Sequence, residues 1–134
     1  MNLKNEFVPY EQALALKELG FDEPCFGHYQ QEWDDDEINE LEPSLHMIFS
    51  KQHQHAFQVC TAPTFSQSFR WFKEKYNLIP DIQYYGNWNF EIFRIGEFAE
   101  PMDDVNVDYT FKGGTYEESE LECLKKLIEI VKEK

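Results

Sequence analysis

Glycine is scarce in this chain of 134 residues, with six in all. They form neither a phosphate-cradling P-loop nor a dinucleotide-binding fingerprint. G-x-S-x-G and H-E-x-x-H are also missing, so no hydrolase elbow or zinc-protease helix is indicated. Cysteine is limited to Cys25, Cys60 and Cys123, an odd number without a C-x-x-C pair. That pattern argues against a disulfide framework and fits buried, reduced thiols in a cytoplasmic protein. None is flanked by the basic groups that would favour a reactive thiolate. No apolar run approaches the roughly 18 residues of a membrane span. Residues Met1 to Glu6 lack the apolar core of a signal peptide, so a cytoplasmic location with no membrane contact is expected.

Positive charge is the other shortage. Twelve Lys and Arg stand against 26 Asp and Glu, a net charge of −14. Such a field repels phosphate backbones and disfavours direct nucleic-acid binding. It leaves solubility, docking on a basic protein, or imitation of DNA as its uses, and solubility is the simplest. Apolar residues make up 42% of the chain and aromatics 16%, which is far from a disordered composition. The length fits one domain, 1–134, able to bury roughly 68–70% of its unfolded surface without disulfides.

The clearest element runs from Thr64 to Tyr76. Thr64 and Gln67 make a capping box, with Pro63 just outside the helix. Phe65, Phe69, Phe72 and Tyr76 recur on one helical face. Trp71 lies off that stripe. It reads either as widening the buried face or as a partly exposed anchor for a partner, and burial is favoured.

Before this helix, Pro9 opens a helix over Tyr10 to Leu19, and Gly20 reads as its left-handed end, with Phe21 folding back onto Leu16. Cys25 to Gln30 reads as a strand. Residues 31–43 are the most acidic stretch and read as an exposed connection. Ile38 takes what would be a ligand position there and the turn glycine is missing, so a calcium loop is not indicated. Leu45 to Phe49 and His55 to Cys60 read as a hairpin joined by 50–54. His53 and His55 with His46 across that hairpin have no matching third or fourth zinc ligand, so they read as hydrated side chains.

After the helix, Asp81 to Tyr85 and Trp88 to Ile95 flank a two-residue Gly86-Asn87 turn, a strong hairpin signal. Tyr84, Tyr85 and Trp88 crowd its tip. They either cover a core edge or form an exposed patch that would mark a partner site. Val105 to Phe111 alternates as a strand with one wet side. Thr115 and Glu118 cap a last helix, with Leu121, Leu124, Leu127, Ile128 and Val131 on one face. The three helix starts are alike, each with an aromatic first: Tyr10, Phe65 and Tyr116. Helix-entry chemistry explains the likeness, and a sharper version has each aromatic docking its helix on the sheet.

These helices and their entries, 7–21, 62–76 and 115–132, resemble small uncharacterised proteins of Bacteroidetes bacteria and their phages. The resemblance covers a little under half of the chain. It implies no catalytic residue, because that group has no assigned activity. The element order is also similar to phage-type sandwich domains, by layout alone.

The expected fold is α+β, with three helices packed on a small antiparallel sheet of about four to five strands. The expected function is that of a non-enzymatic interaction protein of phage or mobile-element origin. It would bind a protein partner through Trp71, Tyr84, Tyr85 and Trp88. No catalytic residue, metal or cofactor is assigned, and a homodimer is compatible with the sequence. The alternatives are a DNA mimic, which needs carboxylates spaced along one face, and a small enzyme built on His28, His46 or His55, which needs a deep polar pocket.

Overall fold

The structure is a computed structural model that describes residues 3–32, 42–48, 56–94, 109–110 and 114–133. It is α+β. After a short 3-10 turn (Leu3–Glu6) the elements are α1 (Tyr10–Glu18), β1 (Cys25–Glu32), β2 (Glu42–Ile48), β3 (Ala56–Ala62), α2 (Phe65–Tyr76), β4 (Leu78–Tyr84), β5 (Trp88–Arg94), β6 (Tyr109–Thr110) and α3 (Tyr116–Lys132). Among the described residues there are, in place of one sheet of four to five strands, two antiparallel sheets of three, ordered β2-β1-β3 and β4-β5-β6. The chain divides into two compact units, Met1–Ser66 and Gln67–Lys134.

In the first unit, the expected hairpin between β2 and β3 does not form. Each pairs with β1 instead, as in Cys25↔Ile48 on one side and Tyr29↔Cys60 on the other. The reason is legible in β1 itself. Gly27, His28 and Tyr29 are buried in succession, which suits a central strand rather than an alternating edge. β1 bulges against both neighbours. His46 falls in β2, on the opposite side of β1 from β3, so the histidine set imagined across a β2–β3 hairpin has no hairpin to hold it. His53, His55 and most of the acidic stretch lie outside the described residues.

α1 packs on β3 and ends as the sequence indicates. Gly20 adopts φ 101°, its N–H donates to Lys17 O at 3.0 Å, and Phe21 N–H donates to Leu16 O at 2.9 Å. This is the paired bond pattern of a Schellman ending. The segment before α1 is tied to the residues before α2: Phe7 bridges Thr64, and Val8 N–H donates to Pro63 O at 2.9 Å.

α2 buries Phe65, Ser68, Trp71 and Phe72, while Phe69 and Tyr76 are half-buried. Its inward face is therefore rotated toward Trp71 from the expected stripe. In the second unit, Asn77 (φ 57°) turns the chain from α2 directly into β4. Pro80 lies within β4, which among the described residues is an edge strand, where the missing N–H is tolerated. Leu78, Phe90 and Ile92 share one face of the hairpin and are buried. α3 packs on β4 and β5. Thr115 Oγ1 accepts from Glu118 N–H at 3.2 Å and caps it. Ser119, Cys123, Leu124, Leu127 and Ile128 form its buried face, with Cys123 more enclosed than the expected Leu121 and Val131. Of the strand read over Val105 to Phe111, only Tyr109–Thr110 lies within the described residues.

Candidate interaction surface

The four aromatics singled out from the sequence part company. Trp71 is only 6% exposed. Its ring meets Phe72 edge-on at 5.1 Å and Tyr76 at 5.4 Å, and Lys75 Nζ sits 5.0 Å from its centroid. A side chain enclosed in this way is not an exposed anchor, and Trp71 belongs to the core.

The hairpin tip is different. Tyr84 and Tyr85 are 61% and 73% exposed, the most open large apolar side chains among the described residues. The register explains them. Tyr84 pairs with Trp88, so the loop holds three residues, Tyr85, Gly86 and Asn87, rather than the expected two. Gly86 takes φ 79°, and Tyr85 N–H donates to Asn87 O at 3.0 Å. The third loop residue puts Tyr85 in the turn itself, outside the ladder.

Tyr84 and Trp88 lie on the same sheet face as Leu78, Phe90 and Ile92. α3 packs on β4 and β5 and begins with Tyr116, whose ring meets Trp88 edge-on at 5.1 Å and 77°. Trp88 also meets Tyr84 at 5.1 Å. The result is a continuous row, Tyr84, Trp88 and Tyr116, with Tyr116 41% exposed and Tyr85 beside it in the turn.

Tyr116 was absent from the expected site, although the likeness of the helix starts held its signal. Tyr116 docks α3 on Trp88 of β5, and Tyr10 docks α1 on Tyr29 of β1, at 5.4 Å and 73°. Phe65, the third of the set, is buried.

The thiols offer no nucleophile. Cys25, Cys60 and Cys123 are free and buried. Burial pushes Cys60 up to about 11 against the opposing pull of Lys17, and it pushes Cys123 up further, with Glu120 and Asp81 adding to the effect. His28 is buried in β1, paired in register with Thr61 and Glu42. Among the described residues no three His, Cys, Asp or Glu side chains converge as metal ligands, and no helix is long and apolar enough to cross a membrane.

Comparison with protein-family models, curated proteins and solved structures finds no match for this chain. The functional reading therefore stands on the surface chemistry.

Proposed function

We propose that this chain is a non-enzymatic interaction protein, of phage or mobile-element origin, that binds a protein partner through Tyr84, Tyr85, Trp88 and Tyr116. The supporting observation is the aromatic row at the β4–β5 tip, in which Tyr84, Tyr85 and Tyr116 are exposed around a half-buried Trp88. Tyrosine and tryptophan bring large contact area with few rotatable bonds and dominate binding hot spots. Left uncovered, contiguous aromatic surface of this kind is a liability, and its usual purpose is a partner. The origin is carried by the resemblance of the three helices alone. The net charge of −14 turns the chain away from nucleic acid and toward protein.

The test is comparative capture from the native host with the parent chain and with Tyr84→Ser/Tyr85→Ser as bait. Both side chains are exposed, so the double variant keeps the fold. The parent is expected to retain a protein that the variant loses. Identical sets of captured proteins would remove the basis for this reading.

A further inference from the structure

The aromatic row is bordered by acids where α3 begins. In β4, β5 and the first two turns of α3 the carboxylates are Asp81, Glu91, Glu117, Glu118, Glu120 and Glu122. The sole cation in those segments is Arg94, which pairs with Leu78 at the end of the hairpin far from the turn. Asp81 and Glu91 stand directly opposite each other on the sheet face turned away from the row, so the acids beside the row are those at the start of α3. The start of α3 contributes roughly half a positive charge, which Glu117, Glu118 and Glu120 outweigh.

We infer that the Tyr84–Trp88–Tyr116 surface, with Tyr85, docks a Lys- or Arg-bearing segment of a protein partner. This rests on the reading of that surface as a protein-binding one. Aromatic faces attract cations, and guanidinium groups stack on them best. Glu117 and Glu118, exposed one and two residues after Tyr116, supply ion-pair acceptors at the edge of the row. The chain already uses this chemistry internally, with Lys75 Nζ at 5.0 Å from the Trp71 ring and 5.7 Å from Tyr76.

Other occupants fit less well. A second copy would bring the same acids to the same place, and nucleic acid would bring phosphates. The exposed aromatic surface is roughly 300–450 Å². That is well under the ~800 Å² that each side of a stable globular interface contributes, so a segment fits better than a folded face.

The probe is a fluorescein-labelled alternating Arg-Gly peptide, with Lys-Gly and Gln-Gly peptides beside it. Binding to the full chain is followed by fluorescence anisotropy at about 0.15 M salt, where diffuse surface attraction is screened beyond roughly 8 Å. The Arg-Gly peptide is expected to bind saturably and more tightly than Lys-Gly, and Gln-Gly not at all. Tyr84→Ser/Tyr85→Ser, which leaves the net charge unchanged, is expected to weaken the Arg-Gly peptide about tenfold. Glu117→Gln/Glu118→Gln is expected to weaken it by a similar factor. Circular dichroism confirms that each variant is folded. Equal affinity of the tyrosine variant and the parent would reduce the binding to general acidity and overturn the inference, as would no saturable binding of either basic peptide. A captured partner that requires Tyr84 and Tyr85 but is not displaced by excess Arg-Gly peptide would also overturn it, while the protein-binding reading would survive. A captured set indifferent to those tyrosines would defeat the protein-binding reading itself.

Discussion

Gly27 sits where the chain has no room for a methyl group. A Cβ there would meet Phe7 Cδ1 and Cε1 at 2.8 Å and Ala62 O at 3.1 Å. The Phe7 ring is itself buried, and the carbonyl is part of the β1–β3 ladder. Neither can step aside freely. Gly27→Ala is expected to destabilise the fold by about 1–3 kcal/mol, as overpacked cores do. A urea midpoint equal to that of the parent would show that the ring yields. Two residues further along the same strand, Tyr29 donates its buried hydroxyl to Val8 O at 2.9 Å and stands opposite Cys60. Burial first, and the nearby Cys60 second, push Tyr29 up to about 12 from 10.0; burial pushes Cys60 to about 11 from 9.0. Both groups keep their protons in the fold at pH values where the unfolded chain has lost them. The stability they contribute is complete below the unfolded values and is lost as pH rises toward the folded ones. Urea titrations should therefore show stability falling between pH 9.0 and about 12. A flat profile across that range would mean these groups are open to water.

At the scale of the element, the ends of the helices are the most sequence-determined features. Gly20 after α1 and Thr115 before α3 do what their residue types favour: one takes the left-handed conformation, the other caps an amide. Thr115→Ala removes the acceptor for Glu118 N–H at 3.2 Å. It is expected to lower stability by about 1 kcal/mol, with Thr115→Ser close to the parent. Thermal melts of the two variants check this, and an alanine variant matching serine would show that water replaces the cap. The bonds concerned are local, so short stretches of sequence suffice to place them. Strands behave otherwise. β1, β2 and β3 were legible as strands, but not as an arrangement with β1 in the middle. A strand's own pattern says that it pairs, while its partner is chosen by burial far along the chain. The β4–β5 hairpin lies between these cases. Its existence was legible from Gly86-Asn87, yet its register placed one more residue in the loop and so put Tyr85 outside the ladder.

At the scale of the molecule, charge is the dominant feature. With 26 acids against 12 bases, self-repulsion works against the folded state at low ionic strength. Raising salt from about 0.02 M to about 0.3 M shortens the Debye length several-fold. Tm is expected to rise by a few degrees, and an unchanged Tm would show that the acids are already balanced by their neighbours. Lys125–Glu122 at 3.2 Å and Lys126–Glu129 at 3.3 Å balance only part of it and, being surface pairs, add little by themselves. Length alone suggests one domain, whereas the contacts group the chain into Met1–Ser66 and Gln67–Lys134, and each group holds one sheet. The sequence by itself determined the α+β class, the three helices with the Gly20 end of α1 and the Thr115 cap of α3, and the acidic character, because these depend on residue type and on neighbours a few positions away. Only the tertiary structure decided which strands pair, and which aromatics are left outside. The sequence favours burial for Trp71 and leaves Tyr84 open. One is buried and meets Phe72 and Tyr76 edge-on, and the other, on the hairpin tip beside Trp88, is 61% exposed. That difference is set by where the elements end in space, which no local pattern encodes.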